Sequence, residues 1–195
     1  MIKIGLLGGT FDPVHNGHLI ISEYLRDEFE LDEFWFIPAK IHPLKDNKTI
    51  TPVEQRLKML ELAIADNEHF RICEVELQRE GVSYTIDTIN QILEENREKS
   101  PELYFFIGMD NVNELHRWKS PHEILQKSHV VAFGRPGFTP NQSAEEFLPS
   151  IQFIHVPLLE ISSTFIRNRI HAGKSVRYLI PSSVEKYIRD NGLYR

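Results

Sequence analysis

Two imidazoles, His15 and His18, stand three residues apart at the end of the run Gly8-Gly9-Thr10-Phe11-Asp12-Pro13-Val14-His15-Asn16-Gly17-His18. Ring N–H donors, glycines that let the backbone come close, and the unpaired N–H groups of a helix start together suit a phosphate-bearing ligand. Gly8, Gly9, Thr10 and Phe11 are the residues expected against that ligand, and His15 and His18 are expected to steady charge developing on one of its phosphates. A metal would be the competing use of the histidines. Asp12 is the single carboxylate nearby, and neither a cysteine nor a third histidine stands close, so no protein metal site is expected. The glycines lack the G-x-G-x-x-G spacing of a dinucleotide fingerprint, and no Gly-Lys-Ser/Thr follows as in a P-loop.

Other polar clusters punctuate the chain. Ser162-Ser163-Thr164 opens a second helix start with Arg167 one turn on; a cap needs one hydroxyl, so the run and the arginine point to phosphate as well. The segment Ala39 to Ile50 carries Lys40, His42, Lys45 and Lys48, and reads either as a solvated linker or as an arm over phosphates. Gly108 and Asp110 close one apolar run, and Gly134-Arg135-Pro136-Gly137 closes another, which adds Arg135 to the candidates. Asp110 is placed to accept from a ribose hydroxyl or to support the site, and both readings stand. Asp12 has two readings also, contact with a metal-bound water or an Asx turn before Pro13.

These clusters must be positioned by the elements between them. Ile2 to Leu7 reads as a buried strand and Leu19 to Leu25 as a helix; Glu33 to Pro38 is a second strand. Thr51-Pro52-Val53-Glu54 has the form of an N-cap, a proline at N1 and a glutamate at N3, opening a helix with Leu57, Leu60 and Ile64 on one face. Phe70 to Leu77 alternates as a strand should, Tyr84 to Leu93 is helical, and Leu103 to Ile107 is a central strand. A capping box at Ser120-Pro121-His122-Glu123 opens a short helix, followed by a strand at His129 to Phe133, a long loop from Gly134 to Pro149 and a last strand at Ile151 to Val156. A helix beginning at Ser162 or Ser163 and one from Pro181 to Asp190, capped by Ser182 against Glu185 or by the proline, complete the chain. The alternation predicts an α/β fold: a Rossmann-like, mainly parallel sheet with helices on both faces, a small C-terminal helical portion, and one domain over residues 1–195. In a parallel sheet the polar clusters at strand ends share one edge, so they converge on one cleft.

Bulk properties narrow the class. Hydrophobic content of 41% with 26% charged residues belongs to a globular protein, and the net charge of −6 argues against nucleic-acid binding. No apolar run approaches the ~18 residues of a membrane span, and strand-like sequence begins at once, leaving no room for a signal peptide. The single cysteine, Cys73, sits in a half-buried strand position and cannot pair internally, so the cytoplasm is the expected compartment. Tyr187 and Tyr194 are the residues that hint at a self-association surface and hence a homo-oligomer.

Gly9 to His18 resembles the T/H-x-G-H signature of the nucleotidyltransferase superfamily, and Ile161-Ser162-Ser163-Thr164-Phe165-Ile166-Arg167 resembles its second signature, I-S-S-T-x-I-R. Within that superfamily the chain is most similar to bacterial nicotinate-nucleotide adenylyltransferases, through Trp35 to Pro38, Ser83 to Thr88, Ile107 to Asp110 and Asn191 to Tyr194. The resemblance implies adenylyl transfer from ATP to nicotinate mononucleotide in NAD biosynthesis, with Mg²⁺ arriving on ATP. It also implies that His18 lies nearest the α-phosphate, that Lys45 meets phosphate, and that Thr85 and Trp118 contact the nicotinate. Chemistry agrees: a pyridinium ring suits the aromatic face of Trp118, and its carboxylate suits the N–H groups and hydroxyl of Ser83-Tyr84-Thr85 at a helix start. Two positions depart from the family pattern, Leu44 where a histidine is usual and Lys119 where tyrosine is frequent. The same machinery would serve nicotinamide mononucleotide or phosphopantetheine as acceptor, or a non-catalytic nucleotide sensor.

Overall fold

The first apolar run forms β1 (Ile2–Gly9), and the chain then alternates: α1 (Asn16–Glu28), β2 (Glu33–Pro38), α2 (Val53–Ile64), β3 (Phe70–Ile72), α3 (Val75–Gln78) and α4 (Thr85–Glu95). The second half continues with β4 (Pro101–Gly108), α5 (Met109–Val112), α6 (Pro121–Lys127), β5 (His129–Gly134), β6 (Ile151–His155), α7 (Ser163–His171) and α8 (Ser182–Asp190). The computed structural model describes residues 1–41, 50–134, 139–157 and 159–195. The six strands form one sheet in the order β3-β2-β1-β4-β5-β6, and every pair is parallel. Connections run outward from β1 in one direction and from β4 in the other, so the strand order reverses between these two.

Alternation along the strands divides the core. Ile4 and Leu6 of β1, Phe105 and Ile107 of β4, and Val130 and Ala132 of β5 pack with Ile86, Ile89 and Ile92 of α4 and Ile124 of α6. On the opposite face, Leu7, Phe34, Phe36, Phe106 and Val131 pack with Leu25 of α1, Met59 and Leu60 of α2, Ile166 of α7, and Val184 and Ile188 of α8. Gly5 makes the second layer possible. Without a side chain on β1, Phe34 and Phe106 from the flanking strands stack over it, ring centroids 5.5 Å apart, where a Cβ would stand 2.7 Å from Phe34.

Three local expectations are corrected. The strand expected over Phe70 to Leu77 ends at Ile72. Cys73 N–H still donates to Phe36 O, but the next rung needs an N–H from Pro38, which has none, and the chain turns into α3. Glu76 thereby points inward, its carboxylate accepting from the buried Thr88 hydroxyl at 2.8 Å. The N-cap of α2 is Pro52 with no side-chain cap; the Thr51 side chain bonds Tyr194 instead, and its N–H donates to Asp12 Oδ2. Ser120 has a left-handed backbone (φ 50°) and caps nothing. Of the two starts considered for the last helix, Pro181 is the N-cap; Ser162 caps α7 as expected, accepting from Phe165 N–H at 3.1 Å. Cys73 lies just past β3, and burial pushes its thiol up to about 11, as befits a structural residue.

The inward face of α2 reads Arg56, Met59, Leu60, Ala63 and Ile64. Arg56, at 2% exposure, is among the most buried side chains, and all its bonds go to main-chain carbonyls. Nε donates to Thr51 O at 2.9 Å, Nη1 to Thr10 O at 2.7 Å and Nη2 to Ala39 O at 2.9 Å. Burial pulls its pKa down while the Asp12 carboxylate pulls it up. One guanidinium thus ties the ends of β1 and β2 to the start of α2. Replacing it with an apolar residue of similar length strands three buried carbonyls, so Arg56→Met is expected to lower the free energy of unfolding by about 3–5 kcal/mol in urea titration.

Candidate active site

The cleft begins in the sheet register. β1 stays paired with β2 as far as Gly9 and Pro38, but its pairing with β4 ends at Leu7 and Phe106. Past that point β1 and β4 part, at the carboxyl ends of the strands and at the reversal of strand order, where open α/β sheets hold ligands. A cavity of about 860 Å³ occupies this crevice, a size suited to a small-molecule substrate.

The loop leaving β1 lines one side of it. Phe11 adopts φ 49°, a conformation costing about 1 kcal/mol for a residue with a side chain. Its ring is buried against Phe36 and lies edge-on to His18 at 5.1 Å, which holds the turn in place. Gly9 admits that ring, since a Cβ would come within 2.9 Å of it.

His15 and His18 then form a reciprocal pair at the start of α1. His15 Nδ1 accepts from the His18 main-chain N–H at 3.3 Å, and His18 Nδ1 accepts from the His15 N–H at 3.2 Å. Their rings stack with centroids 3.6 Å apart. Because each Nδ1 is an acceptor, each neutral ring carries its proton on Nε2. Burial lowers the pKa of His15 to about 4, so at neutral pH this imidazole is uncharged and acts as a hydrogen-bond donor and helix cap. Gly17 gives it room, since a Cβ there would lie 3.0 Å from His15 Nδ1.

From the opposite direction α7 closes on the same loop. Ser162, Ser163, Thr164 and Arg167 all line the cavity, as the second motif anticipates. Two of them also grip the first motif: Ser163 Oγ donates to Pro13 O at 2.8 Å, and Arg167 Nη1 donates to Asp12 O at 2.7 Å while Nη2 reaches Thr164 Oγ1 at 3.2 Å. Asp12 is buried, its Oδ1 accepting from the Tyr194 hydroxyl at 2.6 Å and its Oδ2 from Thr51 N–H at 3.3 Å. Neither bond is an Asx turn. Tyr194, expected with Tyr187 to mark a self-association surface, turns inward, and both tyrosines pack against the chain's own core.

The far wall comes from the other half of the sheet. Thr85, the first residue of α4, and Trp118 both line the cavity. Trp118 is half-buried, edge-on to Phe105 at 6.0 Å, and its N–H is bonded to Leu115 O at 3.0 Å. Lys119 joins these two pieces: its ammonium sits 2.8 Å from both carboxylate oxygens of Asp87 in the first turn of α4 and over the Tyr84 ring. Ser83 is buried beside Glu76, whose pKa is raised by burial against the opposing pull of the Thr88 and Ser83 hydroxyls. Gly108 and the exposed Asp110 line the cavity at the end of β4, and a Cβ on Gly108 would collide with Asp110 Oδ1.

Gly8, Gly9, Thr10, Phe11, His15, His18, Gly108 and Asp110 are therefore brought to one cavity with Thr85, Trp118 and the four α7 residues. Lys45 and Arg135, with His42, Leu44 and Gly137, lie outside the described residues. Sequence reasoning missed Arg56, Glu76 and the inward role of Tyr194. For Arg56 there was a signal: it stands four residues before Leu60, on the buried face of α2.

Comparison with known proteins agrees with this geometry. A family profile described as cytidylyltransferase-like matches residues 6–169. A nicotinate-nucleotide adenylyltransferase of Geobacillus thermodenitrificans is 44% identical over 194 residues, covering 100% of this chain and 87% of its own. The protein of that name from Desulfitobacterium hafniense is 42% identical over 200 residues, covering 99% and 96%. Among solved structures, Plasmodium falciparum nicotinic acid mononucleotide adenylyltransferase complexed with NaAD superposes with a TM-score of 0.79 at 20% identity, covering 100% of this chain and 98% of that one; at such identity the likeness shows the fold.

The depressed pKa of His15 couples stability to pH. The unfolded chain takes up a proton near pH 6.5 that the folded chain refuses until about 4, so stability present above 6.5 is lost as pH falls through that window. Between pH 7 and pH 5, His15 is expected to remove about 2 kcal/mol of unfolding free energy. In His15→Asn, which keeps a capping acceptor, denaturant titrations at the two pH values should differ by correspondingly less.

Proposed function

The chain belongs to the nicotinate-nucleotide adenylyltransferases within the cytidylyltransferase-like family, and from that premise we propose that it transfers the adenylyl group of ATP to nicotinate mononucleotide, forming nicotinate adenine dinucleotide and pyrophosphate in NAD biosynthesis. The observation that carries the reading is the reciprocal histidine pair at the β1–β4 crevice.

The attacking group is a phosphate oxygen of the mononucleotide, already ionised at neutral pH, so no general base is needed. A bond forms from that oxygen to the α-phosphorus as the bond to the pyrophosphate oxygen breaks. Catalysis then consists of aligning two anions and steadying negative charge on the α-phosphate and the leaving group. His18 is the principal donor to the α-phosphate through Nε2–H, and His15 acts beside it as a neutral donor. Gly8 to Phe11 let the phosphates approach the main chain, and the start of α7, with Ser162, Ser163, Thr164 and the charge of Arg167, receives the β and γ phosphates. Lys45 and Arg135, which follow β2 and β5 in the sequence, are proposed as further cations toward phosphate. Gly108 and Asp110 border the ATP side, where Asp110 meets a ribose hydroxyl. Mg²⁺ would be held by the ATP phosphates and its own waters and would offset phosphate charge; the site fits that mode, because Asp12 is committed to Tyr194 and Thr51.

The acceptor lies along the far wall. The first turn of α4 offers Thr85 and main-chain N–H groups to the nicotinate carboxylate, and Trp118 provides an aromatic face for the ring. A carboxylate needs donors alone, whereas a carboxamide also needs an acceptor, and on this basis nicotinate is preferred to nicotinamide. The cytoplasm is the proposed setting.

Pyrophosphate release with Mg-ATP, measured in parallel with nicotinate mononucleotide, nicotinamide mononucleotide and phosphopantetheine, tests the assignment. Strong preference for the first is expected, and preference for either other acceptor would overturn the acceptor site. His18→Ala should lower kcat by about 10²- to 10³-fold with little change in ATP affinity. Undiminished turnover in that variant would remove His18 from the mechanism.

A further inference from the structure

The loop carrying His15 and His18 is held from beneath by a residue 182 positions further along the chain. We infer that Tyr194 is a positioning residue for the two imidazoles, acting through its hydrogen bond to Asp12. The inference rests on the catalytic roles given to His15 and His18 above.

Asp12 lies three residues before His15 and next to Phe11, whose ring abuts His18. It is 4% exposed, and each carboxylate oxygen has an inward partner. The bond from the Tyr194 hydroxyl, at 2.6 Å, has the length of a charge-assisted O–H···O⁻ contact, while the bond from Thr51 N–H is longer at 3.3 Å. Burial and the neighbouring carboxylate raise the pKa of the tyrosine far above its ordinary value, so the hydroxyl remains a donor at every working pH. The main chain at this point is gripped from the other side by Arg167 at Asp12 O and Ser163 at Pro13 O. Main-chain bonds from α7 fix where the backbone passes, and the side-chain bond fixes how residue 12 is turned, hence the direction in which the chain enters the Phe11 turn and the histidine cap. Around the hydroxyl, the other neighbours are the Thr51 side chain and Met59 Sδ at 4.0 Å; neither carries the charge of the carboxylate, and the thioether is a weak acceptor.

Tyr194→Phe keeps the ring and its packing and removes the hydroxyl with its bond to Asp12. Turnover should be measured well below the melting temperature, together with KM for ATP and nicotinate mononucleotide and the histidine ring C–H resonances of the ligand-free protein by NMR. Displacement of a catalytic donor by a fraction of an ångström is expected to lower kcat about tenfold while both KM values stay within about threefold, and to shift the His15 and His18 resonances. In a double-mutant cycle, Asp12→Ala with Tyr194→Phe should turn over within about twofold of Asp12→Ala alone, since alanine removes the acceptor and both changes break the same link. If the Asp12 variants fail to fold, the resonances of Tyr194→Phe decide by themselves. Unmoved histidine resonances, or a kcat within twofold of the parent with a lower melting temperature as the sole change, would overturn the inference. A parent enzyme that releases no pyrophosphate would refute the assigned reaction, and the ligand-free resonances would still report whether Tyr194 sets the histidine geometry.

Discussion

Arg56 is the interaction on which the rest of the site depends. The β1–β2 ladder closes with Ala39 N–H on Gly9 O, yet the carbonyls of Thr10 and Ala39 lie past it and must be satisfied there, under the floor of the cleft. A planar guanidinium with donors in a fixed fork meets both at once and adds Thr51, and the nearby Asp12 carboxylate supplies compensating charge. Its burial would be costly without that complete set of partners. With it, three segments separated in sequence become one rigid platform, and the loop above inherits its position.

On that platform the chain solves a conflict between folding and chemistry. The start of α1 needs caps, and the ligand needs donors. The histidine pair serves both, because an imidazole has two nitrogens: each Nδ1 accepts a main-chain N–H, and each Nε2 carries the proton. Desolvation keeps His15 neutral, so its part in the cleft is that of an oriented dipole. In the proposed reaction, a chain of net charge −6 receives polyphosphate through local donors and helix starts, with no basic face required.

The fold was legible in the sequence wherever one face or both faces of an element are buried along its length. β1, β2, β4, β5 and β6 announce themselves by apolar runs, and α4 by its isoleucines. β3 was over-extended because its end is set by a proline on its neighbour, a fact that no inspection of residues 70–77 contains. Thr51 and Ser120 looked like caps and are not, since Thr51 serves Asp12 and Ser120 takes a left-handed turn. The described motif residues converged as expected, but their bonding was hidden: Ser163 and Arg167, read as phosphate ligands, hold Pro13 and Asp12. Tyr194 read as surface because a C-terminal tyrosine carries no periodic signal, and Arg56 escaped notice as one charge within an amphipathic helix.

The parting of β1 from β4 after Leu7 and Phe106 has a further consequence. The wall bearing the histidines is anchored by Arg56, Asp12 and α7, and the wall bearing Thr85 and Trp118 is anchored by α4 through Asp87 and Lys119. Each wall has its own supports, and they are joined by the sheet beneath and after β2, where Ser83 N–H donates to Ile41 O and Lys40 Nζ to Arg79 O. Such a division makes the acceptor side exchangeable in evolution: its residues can be rebuilt around a different phosphorylated partner while the transfer machinery stays untouched, so that one reaction becomes available to many metabolites.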